Sequence, residues 1–335
     1  MESTPHNQPQ AADIRRRSAF LFLLCAGWIF FSLLLAHRAS NEVPALWADL
    51  FRQGATAALL FAGFHLIASR GVHDLRPLSS VGFVRRPGIA QEFGRGAALG
   101  WGIGLALILP AVMTGWLRLS FDFSQATLLR AAISLATLIA FVLATQMIVS
   151  GLPVRLLVRA VGSTAATVAV LFLVFVTTVL SRQGEGSSAL FAAVAVALFC
   201  AAFLRTRALW FSLGVQLAWT ITLAMLFGAP SVYLPVTSSV IRADIGGSTA
   251  LTGSIFGPEA SFFALPVLLV ALMVLYRLTR DYAWHYTWQP IEGAGHAVVI
   301  APPAEHVLEE QRAAAAAPSL VQIAPAVTAE PTDTL

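Results

Sequence analysis

Eight apolar runs, separated by shorter polar segments, dominate the pattern of hydrophobic and polar positions along the chain. A membrane-spanning helix needs about 20 consecutive, mainly apolar residues, and the runs approach or reach that length. We therefore predict an all-α, polytopic membrane helix bundle of about eight transmembrane helices within residues 18–284. The predicted spans are 18–36, 45–69, 97–117, 126–149, 163–180, 189–204, 208–227 and 260–276.

The polar segments around these runs predict the remaining organisation. Residues 1–17 end in three arginines, which also fits a signal peptide, but no small-residue cleavage site follows the first run. A retained first helix preceded by a cytoplasmic segment is the favoured interpretation. The arginine-rich segment 71–96 predicts a loop or a surface-lying segment. Residues 285–335 are rich in Ala and Pro without an apolar period, which predicts a disordered cytoplasmic tail.

Composition supports a membrane protein and excludes several kinds of chemistry. The chain has 335 residues, of which 57% are hydrophobic and 11% are charged, against roughly 25% charged in a soluble domain. Its 21 basic residues are all arginine, which excludes lysine-based catalysis. The net charge is +4, but the arginines lie between the apolar runs. They therefore indicate signals for membrane topology, and we expect no nucleic-acid partner. Cys25 and Cys200 lie inside apolar runs and are expected to be buried, unpaired hydrophobic residues.

The arginines also predict how the chain is oriented in the membrane. If the N-terminus is cytoplasmic and the spans alternate, 14 arginines fall in inner segments and 6 in outer ones, with Arg312 in the distal tail left out. Cytoplasmic segments carry such an excess of basic residues. We therefore expect a plasma-membrane protein with both termini in the cytoplasm.

Ionisable side chains are nearly absent from the predicted spans. Activation of water for amide hydrolysis needs Glu, Asp or His, or a metal that they hold. No histidine lies between His73 and His285, and Glu185 is the only carboxylate between positions 122 and 244. His65, in the second span, is the one candidate, and a neutral ring bonded to a neighbouring helix is favoured over a catalyst. We expect no metal and no cofactor.

Four stretches of the chain carry a resemblance to a known family. They are "RPLSSVGFVRRPG", "QMIVSGLPVRLLVRAVG", "FLRTRALWFSLGVQLAWTITLAMLFGAP" and "LTGSIFGPEASFFALPVLLVALMVLYRL". In order and spacing they resemble the CPBP family, the intramembrane proteases related to CAAX proteases and bacteriocin-processing proteins (the Abi group). The resemblance covers residues 76–278 and implies a CPBP-like helical core and an intramembrane endopeptidase.

The residues that this family uses for catalysis are replaced here. The resemblance implies a pair of Glu residues, one of which is the general base, followed by an Arg. It also implies a His in a Phe-x-x-x-His motif and, further along the chain, a His and an Asn. With Gly151 aligned on the glycine of the first motif, the matching positions are Thr145, Gln146, Ser150, Val179, Gln216 and Thr220. None of them can act as a base near neutral pH. We therefore predict no catalytic residue and a pseudoprotease that binds or scaffolds another membrane protein within the lipid bilayer.

Two alternatives stay open, an active CAAX-type endopeptidase and a transporter-like or lipid-binding protein. Gln146 and Ser150 share one helical face, and so do Gln216 and Thr220, because both pairs are four residues apart. These side chains form either a polar cavity or ordinary hydrogen bonds between helices. If the family arrangement persists, Gln146 and Gln216 are neighbours although 70 residues separate them.

Overall fold

The computed structural model describes residues 8–72, 77–180, 186–229, 239–247, 249–253 and 257–279. Within these ranges the chain is mostly helical. The predicted disordered tail lies outside the described residues, as does Glu185. The helices are α1 (Gln8–Ser40), α2 (Ala45–Ile67), α3 (Pro77–Val81), α4 (Ile89–Met113), α5 (Gln125–Ser150), α6 (Leu152–Val161), α7 (Ser163–Leu180), α8 (Gly186–Thr206), α9 (Trp210–Ile221), α10 (Thr249–Thr252) and α11 (Ala264–Leu278).

The prediction of a helical membrane protein is confirmed in its class. Among the described residues, six helices are long and apolar enough to cross a membrane. Two shorter apolar helices, Trp210–Leu226 and Ala264–Leu278, occupy the seventh and eighth predicted spans. The first of these continues α9 through a π-helical segment, Thr222–Leu226. Both cysteines are buried and free, as predicted.

One prediction about a loop is wrong in part. The segment 71–96 contains the short α3, and α4 begins at Ile89, eight residues before the predicted span. A glycine in the left-handed region, Gly88 (φ 85°), precedes its first turn. Further along α4, Gly96, Gly100 and Gly104 face α9 and its π-helical extension, where an added Cβ would overlap backbone or Thr222. Small residues at this spacing let two membrane helices approach closely.

The fold also contains a two-stranded sheet that an all-α prediction omits. Strand β1 (Leu117–Phe121) pairs antiparallel with β2 (Ile241–Ile245). Alternation along the strands places four polar side chains on one face, opposed as Arg118 with Asp244 and Ser120 with Arg242. The other face is apolar. We call this pair of strands the ribbon.

Hydrogen bonds between distant segments of the chain are found at each of the two ends of the bundle. The ribbon lies at one end, where the Gly246 N–H also donates to the Trp116 carbonyl at 2.9 Å. We call the other end, from which α4 starts, the arginine end; the 25 residues of α4 separate the two ends by about 37 Å. Its long-range bonds run from Arg17 Nη2 to Gly71 O (2.7 Å), from Arg86 Nη1 to Thr206 O (2.9 Å) and from Arg205 Nε to Thr279 Oγ1 (2.6 Å).

Candidate functional site

A buried pair of amides joins α5 to α9. Gln146 lies one turn before the end of α5, and Gln216 lies in the middle of α9. Gln146 Nε2 donates to Gln216 Oε1 at 2.7 Å, and the two residues are 0% and 5% exposed. The contact predicted between them across 70 residues is therefore present. We call it the amide bridge.

Three polar atoms around the amide bridge are buried without a hydrogen-bond partner in the described structure: Gln146 Oε1, Ser150 Oγ and Trp219 Nε1. Ser150 follows Gln146 by one helical turn, and Trp219 follows Gln216 by nearly one turn, so each lies on the same helix face as its glutamine. A buried polar group without a partner costs about 1–3 kcal/mol. The site thus retains unused hydrogen-bonding capacity and no side chain that titrates.

The other positions that the resemblance singles out in the sequence contribute less to this site. Thr220 is buried, but its hydroxyl donates to the Gln216 carbonyl at 2.8 Å, within its own helix. Thr145 is half-buried on α5. Val179 is 46% exposed on α7, a helix whose one buried residue is Ala166. Val179, at the position that matches the family's Phe-x-x-x-His histidine, therefore does not join the buried polar residues.

His65 does not form the predicted bond to a neighbouring helix. Its side chain is exposed and stacks on Phe61, with ring centroids 6.3 Å apart and an interplanar angle of 19°. Both residues lie on α2, one turn apart. The ring therefore lies on an exposed part of α2.

Sequence reasoning missed a buried carboxylate, Glu92. It lies in the first turn of α4 and is fully buried. Arg86 Nε donates to Glu92 Oε2 at 3.1 Å, and Arg86 Nη2 forms an ion pair with the same oxygen. Glu92 Oε1 is buried and has no hydrogen-bond partner among the residues described. Gly96, Gly100 and Gly104 are four residues apart, and the same spacing continues back through Glu92 to Gly88. This helical period is the signal in the sequence that places Glu92 on a helix.

The segment that carries this ion pair is hydrogen-bonded to the start of α9. The Leu209 N–H donates to the Gly82 carbonyl at 3.0 Å, and Trp210 Nε1 donates to the Val84 carbonyl at 2.8 Å. Further along, Gly214 packs against the backbone of Phe93, which is the neighbour of Glu92 in sequence. Residues 81–92, which we call the cover segment, are therefore held against the start of α9.

The described residues provide no group of three or more His, Cys, Asp or Glu side chains that could hold a metal ion. A second buried carboxylate, Glu259, lies in the short 3₁₀ turn Pro258–Ala260, in the chain segment between β2 and α11. An amide, a hydroxyl and an indole can donate or accept hydrogen bonds but cannot take a proton from water near neutral pH.

Comparison of the chain with models of known families, with curated proteins and with solved structures gives no match.

Proposed function

We propose that this protein is a CPBP-type intramembrane pseudoprotease that binds or scaffolds another membrane protein. The observation that carries the proposal is the amide bridge. Gln146 and Gln216 stand where the resemblance puts one Glu of the catalytic pair and the His of Gly-x-His-x-x-x-Asn. Their contact at 2.7 Å brings two distant motif positions together, as a persisting CPBP core requires. Two neutral amides take the place of a base and its partner.

The surroundings of the amide bridge support a silent site. A hydrolytic site needs a group that accepts a proton and a route by which water and substrate reach it. Glu92, one of the two buried carboxylates of the described residues, is held by Arg86 at the start of α4. The cover segment is fixed to Leu209 and Trp210 by two hydrogen bonds. For the protein to act as an endopeptidase through this carboxylate, Glu92 would have to separate from Arg86, and the cover segment would have to separate from Leu209 and Trp210.

The proposal includes eight membrane crossings with both termini in the cytoplasm of a plasma-membrane protein. Helix α9 with its π-helical extension is only 17 residues long, or about 25 Å. Its start is bonded to the cover segment at the arginine end, and the Ala243 N–H of the ribbon donates to the Gly228 carbonyl just beyond its finish. This supports a crossing shorter than the bilayer core of about 30 Å. The excess of arginine supports a cytoplasmic arginine end.

Incubation of the purified protein with prenylated CAAX peptides and with unmodified membrane peptides tests the silent site. Cleavage is expected to stay at the level of a buffer control, because no side chain at the amide bridge accepts a proton from water. Cleavage by the wild type that Gln146→Ala abolishes would refute the proposal. The matched control is Gln125→Ala, since Gln125 is exposed in the first turn of the same helix, α5.

Purification in mild detergent tests the scaffolding role. A stoichiometric membrane protein partner is expected to co-purify with the wild type, because the proposed function is binding. The same partner should be retained by Gln125→Ala. If no membrane protein co-purifies with the wild type under conditions that preserve the fold, the scaffolding role is refuted even if the site is inactive.

A further inference from the structure

A second site lies at the ribbon end, far from the amide bridge. A cavity of about 150 Å³ opens between the ribbon and the first turns of α5. A cavity of this volume holds a molecule the size of benzene. The residues on which the argument depends are Arg130 and Thr127 of α5, Arg242 of β2, Ser120 and Phe121 of β1, and Asp122.

The two arginines of this cavity are not engaged in the described structure. Neither guanidinium has a hydrogen bond or an ion pair within 4.0 Å of a described residue, although the charge of Arg242 acts on Asp122. The register of the ribbon explains part of this. Arg118 is opposed by the acidic Asp244, whereas Arg242 is opposed by Ser120. Two guanidinium groups on one cavity form a site for a phosphate, which they bind in a bidentate manner.

The third charged group of the cavity is a carboxylate held in its ionised form. The Thr127 hydroxyl donates to Asp122 Oδ2 at 2.7 Å, and the Ser124 N–H donates to Oδ1 at 2.9 Å. These hydrogen bonds, with the charge of Arg242, lower the pKa of Asp122 below its ordinary value. A carboxylate has about four acceptor positions, so Asp122 can accept a further donor. A cavity with two positive groups and one negative group matches a ligand that carries both signs of charge.

We propose that this cavity binds the headgroup of a phospholipid that carries a phosphate and a primary ammonium group, of the phosphoethanolamine type. The phosphate contacts Arg130 and Arg242, and the ammonium donates to Asp122. This site does not depend on the proposed function at the amide bridge.

The surface around the cavity favours a lipid over a soluble ligand. Phe121 and Phe123 are 59% and 71% exposed, and their rings stack with centroids 6.4 Å apart. Leu128 and Leu129, in the first turns of α5, are also exposed. Exposed aromatic and aliphatic residues beside a charged cavity at the end of a span match the boundary between headgroups and acyl chains. The acyl chains of the bound lipid then lie along this apolar surface.

The test measures lipid retention by native mass spectrometry of purified, delipidated protein. The protein is mixed with detergent micelles that contain phosphatidylethanolamine, phosphatidylglycerol or phosphatidylcholine. Phosphatidylethanolamine is expected to bind at least about tenfold more tightly than the other two, which lack a primary ammonium. Arg130→Gln and Arg242→Gln should each weaken its binding about tenfold, in line with a charged hydrogen bond. Arg118→Gln is the matched control and should bind as the wild type does.

Asp122→Asn tests the proposed contact with the ammonium group independently of the contact with the phosphate. It is expected to abolish the preference for phosphatidylethanolamine and to raise the binding of phosphatidylglycerol, because the one acidic charge of the cavity is removed. Equal retention by Arg118→Gln, Arg130→Gln and Arg242→Gln would overturn the site. Displacement of the lipid by soluble O-phosphoethanolamine at equal concentration would overturn the lipid as its occupant.

Discussion

Replacing each glutamine of the amide bridge by leucine tests the pairing directly, because leucine is of similar size and makes no hydrogen bond. Gln216→Leu leaves the whole Gln146 amide buried without a partner, which costs about 1–3 kcal/mol. Gln146→Leu leaves Gln216 Oε1 unpaired at a similar cost. It also removes Gln146 Oε1, which already lacks a partner in the described structure, and so recovers a comparable amount.

The two single variants are therefore expected to differ although they break the same bond. We expect Gln216→Leu to be the less stable by about 1–3 kcal/mol, with Gln146→Leu within about 1 kcal/mol of the wild type. The double variant should be more stable than Gln216→Leu, because no amide is left unpaired. Hydrogen bonds between membrane helices contribute about 0.6–2 kcal/mol, which sets the expected coupling energy of the cycle.

Equilibrium unfolding in mixed micelles of increasing SDS content, followed by far-UV circular dichroism, measures these free energies. Gln125→Leu is the control for a glutamine exposed on the same helix, and it should change the unfolding free energy by less than about 0.5 kcal/mol. Additive effects of the two single changes would show that the amides do not pair. A larger cost for Gln146→Leu than for Gln216→Leu would show that Gln146 Oε1 is bonded after all.

Three further predictions concern the two ends of the bundle. Glu92→Leu is expected to lower the unfolding free energy by about 3–5 kcal/mol, because the buried Arg86 guanidinium loses its counter-ion; stability equal to the wild type would contradict the pair. Because the folded pKa of Asp122 is lowered, its stabilisation is full above its unfolded pKa of about 3.9 and is lost as the pH falls through the lower folded value. Asp122→Asn should therefore be less stable than the wild type at pH 7 and equal to it in strong acid. A difference in thermal stability that stays constant between these pH values would show that the ionised Asp122 is not its source. Reporter fusions before residue 13 and after residue 279 should both report cytoplasm, and opposite sides would exclude eight crossings.

The class of the fold and the central contact follow from patterns that are local in sequence. The apolar runs predict the long helices to within a few residues at most ends, since burial in lipid depends mainly on run length. The four-residue spacing of Gln146 with Ser150 and of Gln216 with Thr220 places each pair on one face. The spacing within each helix does not say that the two faces meet. The contact across 70 residues is an expectation that came from the resemblance to the CPBP family alone, and the hydrogen bond between Gln146 and Gln216 is present.

The ribbon follows from no such pattern. Leu117–Phe121 and Ile241–Ile245 both alternate polar and apolar residues, but each does so over only five positions, which is too short to predict a strand. Each strand is stabilised by the other, in a register that opposes Ser120 to Arg242. The cavity beside it is therefore a property of tertiary structure. The sequence shows that Arg130 and Arg242 are charged, but it does not show that they line one cavity.

Glu92 shows why a hydropathy pattern misplaces the start of a helix that carries an ion pair. Glu92 and Arg95 interrupt the apolar pattern and belong to the arginine-rich segment 71–96, so the span is predicted to begin at residue 97. The helix nevertheless extends back to Ile89, where two favourable effects act on Glu92. The positive end of the helix dipole stabilises a carboxylate in the first turn, and Arg86 donates to it from six residues earlier. Glu92 therefore holds the first turn of α4 to Arg86 in the preceding loop, and Arg86 in turn donates to the Thr206 carbonyl at the end of α8.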